Sequence, residues 1–312
     1  MTFARAFAPA TVANVGVGFD ILGMAVQGAG DTVEVEMRAE PGVVIESIVG
    51  DGGRLPLDPE KNTAAVAANA VLKQIGAGQG VIIRLHKGLP LNSGLGSSAA
   101  SGVAAAVAVN ALFGSLLPKV ALLSACLEGE ARVSGYHADN AGPSLLGGIT
   151  LITGTDITQI YHLPVPEDLE LALVTPAVDV PTAQARAVLP KSISLHQMVE
   201  QTAAVARLVD ALYRGDIAAM GAAMEQDRVV EPARAHLMPF LGEVRIAAKE
   251  AGACGLVISG AGPTLCAICN SPHIAARVAQ RMKEVYDEQG IVSSVQHTRV
   301  DRYGAQVELL EA

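Results

Sequence analysis

Apolar and polar positions alternate in short runs near the start of the chain. Ala4 to Phe7, Asp31 to Met37 and Val43 to Ile48 read as strands, with Gly, Pro and Asp turns between them. The period then changes. Asn62 to Ile75 is an alanine-rich helix stopped by Gly76, and Gly80 to His86 is another strand. A helix of small residues runs on from Ser98, and Leu116 to Val133 reads as a further helix carrying Glu128 and Glu130. Gly147 to Thr153 returns to a strand, and the composition shifts at Leu163-Pro-Val-Pro-Glu167. Beyond that shift come a strand (Leu169 to Thr175), a long helix (Ser194 to Tyr213) stopped at Arg214 and Gly215, and two further helices. Two strands, Cys254 to Ser259 and Thr264 to Cys269, flank a Gly-Pro loop; a helix (Ile274 to Glu288) and two strands close the chain. Strands and helices mix without a regular βαβ rhythm. The fold class is therefore α+β, with domains expected over 1–163 and 164–312.

Composition narrows this picture. The 312 residues are half hydrophobic, with 32 Gly and no Trp, so Ala, Val and Leu must fill a closely packed core. A net charge of −9 argues against a general nucleic-acid binder, which would show a basic stripe. The first residues hold no long apolar run, so no secretory signal is expected. Ser98 to Leu117 is nearly uncharged and long enough for a membrane span, but its Ala, Gly and Ser content and Asn110 favour a buried helix instead. Cys266 and Cys269 form a CxxC within an apolar strand, where residues three apart face opposite sides. No second pair completes a zinc set, so buried structural thiols and a reducing, cytoplasmic setting are expected.

The strongest chemical signal is the loop Pro90, Leu91, Asn92, Ser93, Gly94, Leu95, Gly96, Ser97, Ser98, Ala99 and Ala100. Its glycines permit positive φ and close approach of a ligand. The first turn of the helix after it offers amides without intrahelical partners at the positive end of the helix dipole, a ready site for phosphate. No Lys follows Gly96, so a Walker A loop is excluded. Gly94-Leu-Gly96-Ser-Ser-Ala99 matches the dinucleotide pattern, but Pro90-Leu-Asn precedes it and no acidic residue lies near Gly114 to Lys119. A nicotinamide site is the weaker reading.

Three motifs stand in order: Pro9-Ala-Thr-Val-Ala-Asn14-Val-Gly-Val-Gly-Phe-Asp20-Ile-Leu-Gly23, the Gly-Ser loop, and Ser259-Gly-Ala-Gly-Pro-Thr264. Together they resemble the GHMP kinases, named for galactokinase, homoserine kinase, mevalonate kinase and phosphomevalonate kinase. Within that family, Gly135-Tyr-His137-Ala-Asp139-Asn140, Ala185-Arg186-Ala187 and Glu231-Pro-Ala-Arg234-Ala235 look like the homoserine kinase branch. Asn92 departs from the pattern, since Gly is common there; Asn tolerates left-handed backbone, so the loop is expected to survive.

The resemblance implies a GHMP kinase fold, with an N-terminal S5-domain-2-like nucleotide-binding domain and a C-terminal ferredoxin-like α/β sandwich. It implies ATP and Mg²⁺ as cofactors and transfer of a phosphoryl group to the hydroxyl of L-homoserine, on the route to threonine. Ser98 and Glu130 are the expected Mg²⁺ pair, one hydroxyl and one carboxylate beside the phosphates, while Glu128 faces elsewhere. ATP is expected along Pro90 to Ala100, with Thr182 at the γ-phosphate and Asn62 either at the adenine or as a helix cap. Asn14, Asp20, His137, Asp139, Asn140 and Gly260 would line the acceptor, with Asp20 or Asp139 on its ammonium. Arg186 and Arg234 would hold its carboxylate as planar forks. Asn140 falls where mevalonate kinase-like members place an Asp base, so transfer without a side-chain base is expected, with Arg186 stabilising charge. Asp139 as a conventional base is the competing view. The alternatives are a mevalonate or sugar type of GHMP kinase, or a non-catalytic metabolite sensor. No nucleic acid or membrane partner is expected, and a homodimer is compatible with the pattern.

Overall fold

The structure, a computed structural model, describes residues 2–133, 135–154 and 159–311. The first half runs β1 (Thr2–Ala13), β2 (Leu22–Arg38), β3 (Val43–Val49), α1 (Thr63–Gln74), β4 (Gly80–His86) and α2 (Ser97–Leu112). After these come α3 (Leu123–Glu130), α4 (Ala138–Leu146), β5 (Ile149–Ile152) and β6 (Ile160–Leu163). The remainder is β7 (Glu170–Pro176), α5 (Thr182–Ala187), α6 (Leu195–Arg214), α7 (Ile217–Met224), α8 (Val230–Arg234) and α9 (Leu241–Glu250). It ends with β8 (Gly255–Ile258), β9 (Leu265–Cys269), α10 (Pro272–Glu288), β10 (Ser293–Arg299) and β11 (Gln306–Glu311).

Seven strands form the first sheet, in the order β11-β1-β2-β4-β3, with β5 paired to β2 and β6 to β5. Its core face is built from small side chains: Ala4, Ala6, Ala8, Ala10 and Val12 alternate inward along β1, each without solvent exposure. That smooth surface receives α2, whose Ala99 to Ala111 stretch is buried throughout. Burial on every side explains why this helix carries no charged face. Among the described residues, no helix is long and apolar enough to cross a membrane.

The second sheet has the order β10-β7-β9-β8, antiparallel throughout. Numbered by their own sequence these strands lie 4-1-3-2, the ferredoxin-like order. β7, β8 and β9 are covered on both faces and read as apolar runs, whereas the edge strand β10 is polar and partly exposed. Leu171, Leu173, Val257, Cys266 and Ile268 pack towards α6 and α7 in one core. Ala172, Val174, Leu265, Ala267 and Cys269 pack towards α9 and α10 in the other. Cys266 and Cys269 thus lie on opposite faces, and all four cysteines are free thiols.

Several expected elements differ. β1 continues through Pro9 to Ala13, because Pro9 falls where the register with β2 shifts, and a bulge tolerates a residue without an amide hydrogen. The helix expected over Leu116 to Val133 shortens to α3, preceded by a 3₁₀ turn (Lys119–Leu122) whose cap, Pro118, is extended. α4 forms despite its internal Pro143. The last strand leaves the second sheet: β11 pairs antiparallel with β1, so the segment 164–312 contributes one strand to the first sheet.

Candidate active site

The phosphate loop joins β4 to α2 across a sharp change of direction. Asn92 (φ 54°), Gly94 (φ 80°) and Gly96 (φ 65°) all take left-handed backbone, as expected of Asn at the departure from Gly. Gly96 caps α2, and the first intrahelical bond runs from the Ala100 amide to the Gly96 carbonyl at 2.9 Å. The amides of Ser97, Ser98 and Ala99 therefore precede the helix ladder.

The glycines serve the protein's own packing. A Cβ on Gly94 would lie 2.5 Å from the Ser259 carbonyl oxygen, and one on Gly96 2.0 Å from Thr11 Oγ1. The loop is wired to the other two motifs. The Thr11 amide donates to the Leu95 carbonyl at 3.0 Å, the Thr264 amide to the Ser93 carbonyl at 3.1 Å, and Ser259 Oγ to the Gly94 carbonyl at 2.7 Å. Gly260 follows the same logic, its amide donating to the Ala13 carbonyl at 3.2 Å. Gly262 faces Met238 instead, where a Cβ would come within 2.4 Å.

A cleft of about 310 Å³ opens between this loop and the segments that carry Thr182, Arg186, Arg234 and Gly260. Of the expected loop residues, Leu91, Asn92, Ser93, Gly94, Gly96, Ser97 and Ser98 line it. Pro90 is exposed, and Leu95, Ala99 and Ala100 are buried in the core, so these four shape the loop from behind. Asn62 and Thr182 line the cleft. Asn62 is also a helix cap: its Oδ1 accepts from the Ala64 amide at 3.0 Å and its Nδ2 donates to the Pro56 carbonyl at 3.1 Å. Asn92 Nδ2 donates to Asp179 Oδ1 at 2.8 Å.

The other end of the cleft is lined by Asn14, Asp20, His137, Asp139, Asn140, Arg186, Arg234 and Gly260, which the folded chain brings together as expected. Arg186 forks onto Asp20, with Nη1 3.1 Å from Oδ2 and Nη2 2.9 Å from Oδ1. His137 Nδ1 lies 3.4 Å from the same carboxylate, while burial pushes its imidazole below the ordinary value and towards the neutral form. Arg234 donates to the Ala185 carbonyl at 3.0 Å and the Gly260 carbonyl at 2.9 Å. The two guanidinium forks are thus already engaged by protein partners. The Phe19 ring lies 5.6 Å from the Arg186 guanidinium carbon and 5.3 Å from that of Arg234, a cation–π contact that orients both.

Asp139 is 4% exposed, and its carboxyl is pushed up to about 7 by burial first, then by the neighbouring Asp20 charge. Asn140 Oδ1 accepts from Thr11 Oγ1 at 2.7 Å. The site thus holds one carboxyl poised near neutrality and one amide committed to the first motif.

A model of the GHMP kinase N-terminal domain matches residues 62–148, and one of the GHMP kinase C-terminal segment matches residues 208–288. Together these cover more than half of the chain. The chain belongs to the GHMP kinase family. It is 44% identical to homoserine kinase of Arabidopsis thaliana over 312 residues, covering 97% of this chain and 84% of the plant protein. The crystal structure of homoserine kinase from Cytophaga hutchinsonii superposes with a TM-score of 0.94 at 44% identity, covering 98% of this chain and 97% of that one. L. major mevalonate kinase shares the fold at a TM-score of 0.69 and 17% identity, covering 95% and 96%.

In this GHMP kinase Ser98 and Glu130 line the same cleft. Glu130 is 4% exposed at the end of α3 while Glu128 faces outward. Gly129 sets that placement, since a Cβ there would lie 2.8 Å from the Thr63 carbonyl oxygen of α1. Among the described residues no three His, Cys, Asp or Glu side chains gather as a metal cage. One hydroxyl and one carboxylate oxygen fit a small hard cation that keeps phosphate and water as its other ligands.

Phe19 and Lys87 line the cleft and Thr11 and Asp31 stand behind it, none of them singled out from the sequence. For Lys87 and Asp31 the signal was one of parity. Asp31 shares the inward face of β2 with Val33 and Val35, and Lys87 continues the inward row Val81, Ile83, Leu85. A charge on each inward face requires the other as partner.

Proposed function

We propose that this chain transfers the γ-phosphoryl group of ATP to the side-chain hydroxyl of L-homoserine, giving O-phospho-L-homoserine and ADP on the route to threonine. The observation that carries the reading is the joining of two unlike halves in one cleft. A phosphate loop at a helix N-terminus faces an alternating cluster of Asp20, Arg186, Asp139 and Arg234. That cluster suits an acceptor bearing both an ammonium and a carboxylate; mevalonate has the carboxylate but no ammonium, and a neutral sugar has neither. The names of the Arabidopsis and Cytophaga relatives support it.

In this account the amides before Ala100 and the hydroxyls of Ser97 and Ser98 hold the nucleotide phosphates. Mg²⁺ between Ser98 and Glu130 would supply positive charge beside those phosphates. Asp139 and Asp20 take the acceptor ammonium. Arg234, its guanidinium plane fixed by two carbonyls, turns Nη2 to the carboxylate. The acceptor hydroxyl oxygen bonds to the γ-phosphorus as the bond to the bridging oxygen breaks, and that electron pair leaves with ADP. The hydroxyl proton passes to a γ-phosphoryl oxygen. A loose transition state depends on positioning and charge stabilisation, and Arg186 with the loop amides provides both.

Asp139 supports a second reading, since a carboxyl near 7 matches the demand on a general base. Replacing Asp139 by Asn separates the two: a base would cost about 10²–10⁴ in kcat, whereas an ammonium ligand raises KM for the acceptor. The product tests the whole reading. Phosphorus NMR of the reaction mixture should show a monoester resonance split by one methylene group; inorganic phosphate alone would sink it.

A further inference from the structure

Asp31 has no solvent exposure and lies outside the cleft lining, yet both ends of the phosphate loop converge on it. Its Oδ1 accepts from the amides of Gly88 at 3.0 Å and Leu89 at 3.1 Å, where the chain leaves β4 for the loop. Its Oδ2 accepts from Ser101 Oγ at 2.7 Å and pairs with Lys87 Nζ. Lys87 in turn donates to the Ser97 carbonyl at 2.9 Å and to Ser101 Oγ at 2.8 Å, so the first turn of α2 is held through it.

One carboxylate therefore ties the entry of the loop, at Gly88 and Leu89, to its exit, at Ser97. The close crossing of the backbones at Gly88 and Gly30 permits this, since a Cβ on Gly88 would lie 2.2 Å from the Gly30 carbonyl oxygen. Four hydrogen bonds saturate the carboxylate, and two of its partners, Lys87 and Ser101, line the cleft while Asp31 itself does not. A group placed for stability alone would have no reason to span both ends of the same loop.

We propose that Asp31 is a positioning residue for the phosphate loop, setting nucleotide affinity through Gly88, Leu89, Lys87 and Ser101 without touching the nucleotide. This rests on the nucleotide reading above. Asp31→Asn keeps the size of the side chain but removes the charge that orders Lys87.

The test is ADP binding by calorimetry on the wild-type chain, Asp31→Asn and Val35→Ala, each with a thermal unfolding curve. Val35 shares the inward face of β2 and has no exposure, so it reports the effect of core destabilisation. The expected result is a Kd for ADP raised about tenfold in Asp31→Asn, the scale of losing a charged hydrogen bond, with Val35→Ala within about twofold of wild type. KM for ATP should rise in parallel while KM for L-homoserine stays within about twofold. If Asp31→Asn does not fold, Asp31→Glu keeps the charge, displaces it by one methylene and should shift ADP affinity in the same direction. Equal ADP affinity in wild type and the Asp31 variant, or the same loss in Val35→Ala, overturns the proposal. Failure of the wild-type chain to bind ADP overturns the nucleotide reading beneath it instead.

Discussion

Arg186 and Asp20 meet through two hydrogen bonds, at 3.1 and 2.9 Å, across 166 residues of sequence. The pair lines the cleft, and a ligand bound beside it would share its two charges. Removing Arg186 therefore does two things at once. It takes away the cation that the proposed mechanism sets at the transferring group, and it leaves Asp20 and Asp139 with Arg234 as their neighbouring cation. Arg186→Ala is expected to lower kcat by about 10²–10³, the scale of losing one preorganised donor to a developing charge. Arg186→Lys should recover little, because one ammonium cannot reproduce the two-point fork. Steady-state kinetics check this; a raised KM with kcat intact would remove the charge-stabilising role.

Asp139 gives a pH signature. Its carboxyl titrates near 7 in the folded chain against an ordinary 3.8. Below the lower value both states hold the proton, and the group costs nothing. Between the two values the unfolded chain releases a proton that the folded chain keeps, so stability falls as pH rises. Above the upper value the penalty is constant. Asp139→Asn should lose that slope and gain on wild type across the window, by at most about 4 kcal/mol. Denaturant unfolding of both proteins from pH 4 to pH 8 reads the difference directly; a difference flat with pH would show that Asp139 is not held protonated by its burial.

The proposed Mg²⁺ role of Ser98 and Glu130 is testable separately from nucleotide binding. Glu130→Gln keeps the shape of a side chain that is 4% exposed but removes its charge. The Mg²⁺ concentration for half-maximal activity should rise about tenfold or more, and Ser98→Ala should move it in the same direction by less. Metal titrations at saturating ATP measure both. An unchanged Mg²⁺ dependence in both variants would place the cation elsewhere.

Gly96→Ala tests the architecture of the loop. The position has φ 65°, and the added Cβ would meet Thr11 Oγ1 at 2.0 Å and Asn140 Oδ1 at 2.7 Å. Left-handed backbone alone costs about 1–2 kcal/mol for a residue with a Cβ, and the clash adds to it. Thermal unfolding should show a clear loss of stability together with loss of activity; a wild-type melting temperature would mean that the loop relaxes at no cost.

The parts of the fold that follow from local chemistry were legible in the sequence. β4 spans the residues read as a strand, and α6 runs from its Ser194 cap to Gly215 in left-handed backbone. The ferredoxin-like sheet and the clustering of Asp20, His137, Asp139, Arg186 and Arg234 were expected from the family resemblance. Pairing between distant strands was not legible: β11 joins β1 across almost the whole chain, and nothing local in Gln306 to Glu311 selects that partner. Pro143 inside α4 and Pro9 inside β1 mask regular elements, because tertiary packing overrides their local preference. At the site, residue types were readable and pairings were not. The arginines were expected to await a carboxylate, yet Arg186 is already held by Asp20, and Arg234 by two carbonyls.

The central claim is the transfer from ATP to one particular acceptor. It is tested most directly by Mg²⁺-dependent ADP release with L-homoserine, L-serine, L-threonine, mevalonate and galactose offered in parallel. The account predicts strong stimulation by L-homoserine and little by the others. Equal or greater stimulation by mevalonate or galactose would leave the nucleotide half standing and contradict the assignment of the Asp20, Arg186, Asp139 and Arg234 cluster to an amino acid.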